Sequence, residues 1–379
     1  MGPLQGYKVI EMVGLGPGPF CGMMLADMGA EVIRVDKIGG NFLVSRPKDV
    51  LGRGRQSLSL NLKDPQGVAT VLKLCEQADA IIEGFRPGVM ERLGLGPDDC
   101  LARNPKLVYG RMTGWGQEGP MAQAAGHDIN YIALAGALHA IGRKGEKPVP
   151  PLNLVGDFGG GGMFLAYGVV CALLEAQKSG KGQVVDAAMV DGTATLTGMF
   201  FSMQQTNMWN DERGTNMLDT GSHYYDTYGT SDGKWISLGS MEPQFYAEML
   251  EKTGVDPELF TPQHDESKWD ACTAELERVF TTKTRDEWCE IMEGSDVCFA
   301  PVLSLAEAPY HPHMQARNTF IDVDGIKQPA PAPRFSRTPG EVRHGTHKPG
   351  VDSVEVLSNW GFSAAEIDGL KSGGVIPAE

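Results

Sequence analysis

Three short stretches of this chain carry side chains suited to moving protons. GHDINY (126–131) places His127 at the start of a segment with helical spacing. VGDFGGGGMF (155–164) places Asp157 thirty positions further on, ahead of four glycines and a second apolar helical segment. SMEPQF (240–245) adds Glu242 immediately before Pro243. Imidazole and carboxyl groups are the usual carriers in general acid–base chemistry near neutral pH. At a helix start they stand beside unpaired backbone amides, which can hold a developing oxyanion. Each also has a plainer reading. Aspartate is among the best helix N-caps, and glycine permits close helix packing. A helix-start histidine can be structural, and Glu242 can be a first-turn glutamate next to a proline at the first helical position. The pairing of His127 with Asp157, each beside a glycine that clears space for a ligand, favours the chemical reading. In it, Glu242 orients the imidazole.

Other chemistries fit less well. GLGPGP (14–19) follows a predicted strand, and Asp36 ends the next one, which is the setting of a dinucleotide fingerprint. The spacing fails, because Pro19 or Cys21 stands where the third glycine belongs. Pro17 and Pro19 also remove amides that would cradle a pyrophosphate. The four glycines at 159–162 lead into Met163 and Phe164, not into the Lys-Ser/Thr of a phosphate loop. The seven cysteines (21, 75, 100, 171, 272, 289, 298) show no spacing for a metal site or a disulfide framework, so no metal is expected. Their odd number suits a reducing compartment, and the reading expects a cytoplasmic protein. A net charge of -15 disfavours nucleic acid and anionic membranes as partners. No apolar run reads as long enough to cross a bilayer.

The elements that must position these residues alternate in the first half. KVIEMV (8–13), EVIRVD (31–36), AIIEGF (80–85) and LVYGRM (107–112) read as strands. Helical spacing lies between them at 20–28 and from Asp64-Pro65 to about 77. The pattern predicts an α/β fold with a parallel sheet. Residues 127–141, 159–177 and 185–208 read as helices. Near Tyr224 a new unit begins. Two strand-like runs joined by Ser-Asp-Gly-Lys predict a hairpin, and helices follow at about 243–252, 266–280 and 285–293, giving an α+β module. The proline-rich QPAPAPRFSRTPG (328–340) reads as an extended linker, and EIDGLKSGGVI as a closing helix and a short strand.

The motifs GPGPF, LADMGAEVIRVD, EGFRPGVMERLGLGP, RMTGWGQEGP, AGHDINYIALAG, PPLNLVGDFGGGGMF, GKGQVVDAAMVDG, NMLDTGSHYYDTY, MEPQFY and PAPRFSRTP span almost the whole chain. Together they resemble the alpha-methylacyl-CoA racemases of the class III CoA-transferase superfamily. GHDINY with VGDFGGG is specific for the racemase branch; the transferase branch generally lacks the histidine and uses the aspartate as a nucleophile.

The resemblance implies that R and S 2-methylacyl-CoA thioesters are interconverted by 1,1-proton transfer through an enolate. His127 and Asp157 serve opposite faces of the alpha carbon, Glu242 pairs with the histidine, and the Asp128 amide holds the enolate oxygen. No cofactor is needed beyond the coenzyme A of the substrate. The CoA contacts implied are Lys37, Leu60, Asn61, Leu62, Lys63, Gly84, Phe85, Arg86, Arg92, Gly126, Asp128, Ile129, Asn130 and Tyr131. Lys37 stands where relatives often carry arginine, which keeps the charge but loses bidentate phosphate geometry. Met189, Met199, Met203, Met208, Met217 and Met241 either line an adaptable acyl pocket or fill helix cores. The implied architecture is a Rossmann-like large domain (1–200, rejoined by a linker and return at 321–379) and a small α+β domain (224–320) after a linker (201–223). Two such chains interlock as a homodimer. A class III CoA transferase with Asp157 as nucleophile is the alternative. An inactive CoA-ester binding protein is the reading from outside enzymes.

Overall fold

The computed structural model describes residues 2–40 and 48–378. The chain divides into two compact units. The first comprises Met1–Ala135, Leu152–Leu196 and Asn318–Glu379, and the second Gly136–Pro151 and Thr197–Arg317. The sequence reading had placed 1–200 in the first domain and 201–223 in a linker. In the structure, 136–151 and 197–223 pack with the second unit instead. The predicted helix 127–141 is correspondingly broken. Asp128–Leu134 belongs to the first unit and Ala137–Ala140 to the second, and between them Gly136 takes a left-handed φ of 88° that a side chain would strain.

The first unit is built on six strands: β1 (Lys8–Met12), β2 (Glu31–Lys37), β3 (Gln56–Leu60), β4 (Ala80–Glu83), β5 (Val108–Thr113) and β6 (Val184–Ala188). All pair in parallel, in the order β3-β2-β1-β4-β5-β6. Successive strand residues face opposite sides, so each strand feeds two cores. Ile10, Ile33, Leu58, Ile81 and Tyr109 pack with Val71 and Leu74 of the Pro65–Cys75 helix and with Leu357, Trp360 and Leu370 from the C-terminal segment. On the other face Val9, Val32, Ile82 and Val108 meet Leu25 of the Pro17–Asp27 helix and Leu165 and Val169 of the Phe164–Ser179 helix.

Two strands depart from the sequence reading. QSLSL forms β3, a strand the sequence reading does not include. Both serines are buried, and the C-terminal segment closes over this edge. Ser57 N–H donates to Asp352 at 2.8 Å, Ser59 N–H to Ser353 Oγ at 3.1 Å, and Asn61 N–H to the Val375 carbonyl at 2.9 Å. An exposed sheet edge is thereby covered. The helix read over 185–208 is also corrected. Val184–Ala188 is β6, paired with β5, and the helices Met189–Leu196 and Gly198–Gln205 follow. VVDAA alternates too briefly to declare itself, and its pairing with β5 decides the matter.

Leu154–Met163 is a π-helix that runs directly into the Phe164–Ser179 α-helix. The joined helix has 26 residues and is long and apolar enough to cross a membrane by length and composition, which corrects the expectation that no such run exists. Its Leu165, Val169 and Leu173 are packed into the sheet's core.

In the second unit β7 (Tyr225–Gly229), β8 (Trp235–Gly239) and β9 (Phe299–Val302) form an antiparallel sheet. The first two make the expected hairpin. The helices Pro243–Thr253, Trp269–Phe280 and Arg285–Met292 follow, close to their predicted bounds. Tyr224, Tyr228, Phe260, Phe280 and Trp288 dominate its core.

Candidate active site

The strand order reverses between β1 and β4. In open parallel sheets the crevice beyond the strand ends at such a point is where ligands bind. Two adjoining cavities open there, sharing Leu15, Gly84 and Phe85 as walls. The larger, about 630 Å³, is lined by Asp36 and Lys37 at the end of β2 and by Leu60, Asn61, Leu62 and Lys63 at the end of β3. The smaller, about 340 Å³, is lined by Gly16, Arg86, Gly126, His127, Tyr131 and Asp157.

The wall shared by the two cavities is held from below by buried charge. Glu83 ends β4, with one carboxylate oxygen accepting the Phe85 N–H at 2.7 Å and the other accepting Arg111 Nε–H at 3.0 Å. Arg111 also donates to both oxygens of Glu91, at 2.8 and 3.3 Å. Burial raises the Glu83 pKa, and the Phe85 amide and Arg111 work against that rise. A buried pair of this kind stabilises little by itself, but cutting one member leaves an unpaired charge. It therefore holds the turn at Gly84-Phe85-Arg86 in one position.

Asp157 is the fourth residue of the π-helix. Extended π-helices are rare and recur at functional sites. The capping role expected of Asp157 is taken by a different residue. Asp128, 5% exposed, accepts the N–H groups of Gly156 at 2.6 Å and Asp157 at 2.7 Å on a single oxygen, Oδ1. The Asp157 carboxyl is left to line the cavity, where Asn153 Nδ2–H donates to its Oδ2 at 3.0 Å. Burial first, and the neighbouring Asp128 charge, raise its pKa; the Asn153 bond and His127 pull the other way. A carboxyl group moved upward from the usual range is a better match for an imidazole as proton-exchange partner.

The glycine run acts mainly in packing, which narrows the sequence reading. Gly160 lies against the backbone of Thr193, where a Cβ would come within 2.7 Å, and Gly162 lies against Pro17 and Phe20. The glycine that makes room at the carboxyl is Gly16. It has a left-handed φ of 62°, and a Cβ there would sit 3.3 Å from Asp157 Oδ2.

His127 precedes the Asp128–Leu134 helix as its N-cap residue. It is exposed, with its own N–H donating to Asn130 Oδ1 at 3.0 Å. Tyr131 O–H donates to the Gly126 carbonyl, and its ring meets Trp115 edge-on at 4.7 Å. The structure thus brings His127 and Asp157 to one cavity, with Gly84, Phe85, Arg86, Gly126 and Tyr131, and brings Lys37 with Leu60, Asn61, Leu62 and Lys63 to the other. Arg92, Ile129 and Asn130 line neither cavity, and Asp128 lies beneath the site. Glu242 is the exposed N-cap residue of the Pro243–Thr253 helix in the second unit. Of the methionines, Met189 lines the smaller cavity, Met217 and Met241 pack on the second unit's core, and Met199 and Met208 are exposed. Sequence reasoning missed Gly16, Asn153, Glu83 and Arg111. Asn153 was visible as the residue one helical turn before Asp157. The ion pair beneath Phe85 left no local signal, because its members come from different strands.

Strand order and crevice define an α/β protein with His127 and Asp157 lining a cavity at the switch point of its parallel sheet. Residues 4–353 match the model of CoA-transferase family III, and the chain belongs to that family. It is 46% identical over 379 residues to the alpha-methylacyl-CoA racemase of Mus musculus, a match covering 99% of this chain and 98% of that protein. It is 44% identical to the alpha-methylacyl-CoA racemase of Homo sapiens, over 98% of this chain and 97% of that one. Among solved structures, Rv3272 of Mycobacterium tuberculosis superposes with a TM-score of 0.77 at 27% identity, covering 93% of this chain and 98% of that chain.

Proposed function

We propose that the protein is an isomerase that interconverts R and S 2-methylacyl-CoA thioesters. The observation that carries this reading is the shared cavity of His127 and Asp157, adjoining one lined by Lys37 and Lys63. The two lysines and Arg86 supply local positive charge for phosphates on an otherwise acidic chain. With the thioester in place, one of the pair removes the alpha proton and the other returns one to the opposite face. Charge passes to the thioester oxygen, where the Asp128 amide is the proposed donor. That amide makes no hydrogen bond among the described residues. No cofactor is required by this chemistry.

The proposal extends to the assembly. Two copies interlock as a homodimer, and Glu242 pairs with the histidine of the partner's site. Its place in the second unit, exposed at a helix start, supports a role reached by assembly. Light scattering at assay concentration should return twice the chain mass; a monomer with full activity would remove this part.

A second reading follows from the family. Asp157, half-buried and cavity-lining, is also placed to attack an acyl-CoA as the nucleophile of a CoA transferase. One experiment in deuterated water separates them. A single enantiomer of a 2-methylacyl-CoA is incubated without any acceptor acid. Deuterium uptake at the alpha carbon with loss of configuration is the expected result. Silence without acceptor, followed by CoA exchange when a free carboxylic acid is added, would install the transferase instead.

A further inference from the structure

We propose that the side chain of Asp128 is the positioning residue of this site, holding Asp157 in register with His127. The proposal rests on the racemase reading above. Asp128 follows His127 in sequence, and its Oδ1 accepts the Gly156 and Asp157 amides at 2.6 and 2.7 Å. The two proton carriers, thirty residues apart in the chain, are therefore joined through one side chain and one pair of hydrogen bonds. Amides at a helix start have no partner within the helix, so without Asp128 these two would be left orphaned.

Two further observations single this contact out. A Cβ at Gly156 would lie 2.5 Å from Asp128 Oδ1, so the approach is one that only glycine admits. Asp128 Oδ2 is buried without any hydrogen-bond partner. A carboxylate used only as a cap would gain from satisfying that oxygen as well. Beside burial, the larger cause, the charge of Asp128 pushes the pKa of the Asp157 carboxyl upward. The ionisable groups near Asp157 are Asp128 and His127 from the Asp128–Leu134 helix and its cap, Tyr131 one turn further on, and Arg86, which lines the same cavity. Asn153 bonds it from its own helix. The helices packed on the other sides of the π-helix present Phe20, Met189 and Thr193, none of them charged.

The test uses the full-length protein and two variants, following kcat, KM and alpha-deuterium uptake from each enantiomer across pH. Asp128→Asn keeps an oxygen that accepts both amides and removes the charge. Its pH–rate inflection should move to lower pH, with KM for the CoA ester within about twofold of wild type. Asp128→Ala loses the tie, and kcat should fall about 100-fold with KM again little changed, the cost expected of roughly 1 Å of misplacement. Circular dichroism melts establish that each variant is folded. An Asp128→Asn profile identical to wild type, or an Asp128→Ala enzyme within twofold of wild-type kcat, would overturn the proposal. So would a variant that loses stability while its folded fraction keeps wild-type kcat and pH profile; if Asp128→Ala does not fold, Asp128→Asn carries the test. Wild-type enzyme that takes up no deuterium would instead overturn the racemase reading, and this proposal with it.

Discussion

His127 and His223 show how the two units treat the same side chain. His127 is exposed at a helix start and lines a cavity. His223 is 1% exposed in the second unit, with the rings of Tyr224, Tyr246 and Phe260 around it at 5.1 to 5.5 Å. Tyr246 O–H donates to the Phe260 carbonyl at 2.8 Å, so it accepts from His223 Nε2–H at 2.6 Å. The Nδ1 of that neutral ring is buried without a partner. Burial, followed by the repulsion of His264, pulls the His223 pKa down to about 4. Access decides the role: a histidine that water and ligand can reach is able to exchange protons, whereas one sealed among aromatic rings serves as packing.

The largest expected effect tests the accessible side of this contrast. His127→Ala should lower isomerisation by about 100- to 10,000-fold, the range for loss of a general acid–base group, with little change in melting temperature. Full activity in that variant would remove His127 from the mechanism.

The sealed histidine should instead govern stability. Below about pH 6.5 the unfolded chain binds a proton at His223 that the folded chain refuses until about pH 4. Stability should therefore fall as pH drops through that window, by up to about 3 kcal/mol. Denaturant titrations of wild type and His223→Leu at pH 7 and pH 4.5 would show it, and equal pH dependence in both would exclude His223 as the cause.

A smaller effect is expected at Gly16. Gly16→Ala puts a side chain at a φ of 62° and a methyl group 3.3 Å from Asp157. A cost of about 1–2 kcal/mol in the left-handed backbone and a roughly tenfold lower kcat are expected. Steady-state kinetics and a thermal melt would measure both; an unchanged kcat would show that the turn is not tied to the carboxyl. The mildest change is Lys37→Ala. It should raise KM for the CoA ester about three- to fivefold, as befits an exposed charge worth about 1 kcal/mol. Added salt should raise the wild-type KM in the same direction, and a salt-independent KM would remove Lys37 from phosphate binding.

Much of the first unit's sheet is legible in the sequence. Apolar runs at 8–13, 31–36, 80–85 and 107–112 identified four of the six parallel strands, and His127 and Asp157 stood out by type and glycine context. The failures have local causes. β3 went unread, and the groups that take its Ser57 and Ser59 amides come from 352 and 353, nearly three hundred residues away. Asp157 looked like a helix cap because the residue that does the capping, Asp128, lies on another helix.

By itself, then, the sequence determined the residue types available for proton transfer, the periodicities of most elements and the acidic background against which Lys37, Lys63 and Arg86 stand out. These follow from side-chain chemistry and from neighbours a few positions apart. Only the tertiary structure decided that β6 is a strand and that the first unit loses 136–151 to the second. It also decided that the wall at Phe85 rests on Glu83 and Arg111, and that Asp128, next to His127, takes the Gly156 and Asp157 amides. Each of those depends on a contact between segments distant in the chain, where pairing, burial and close approach outweigh local preference.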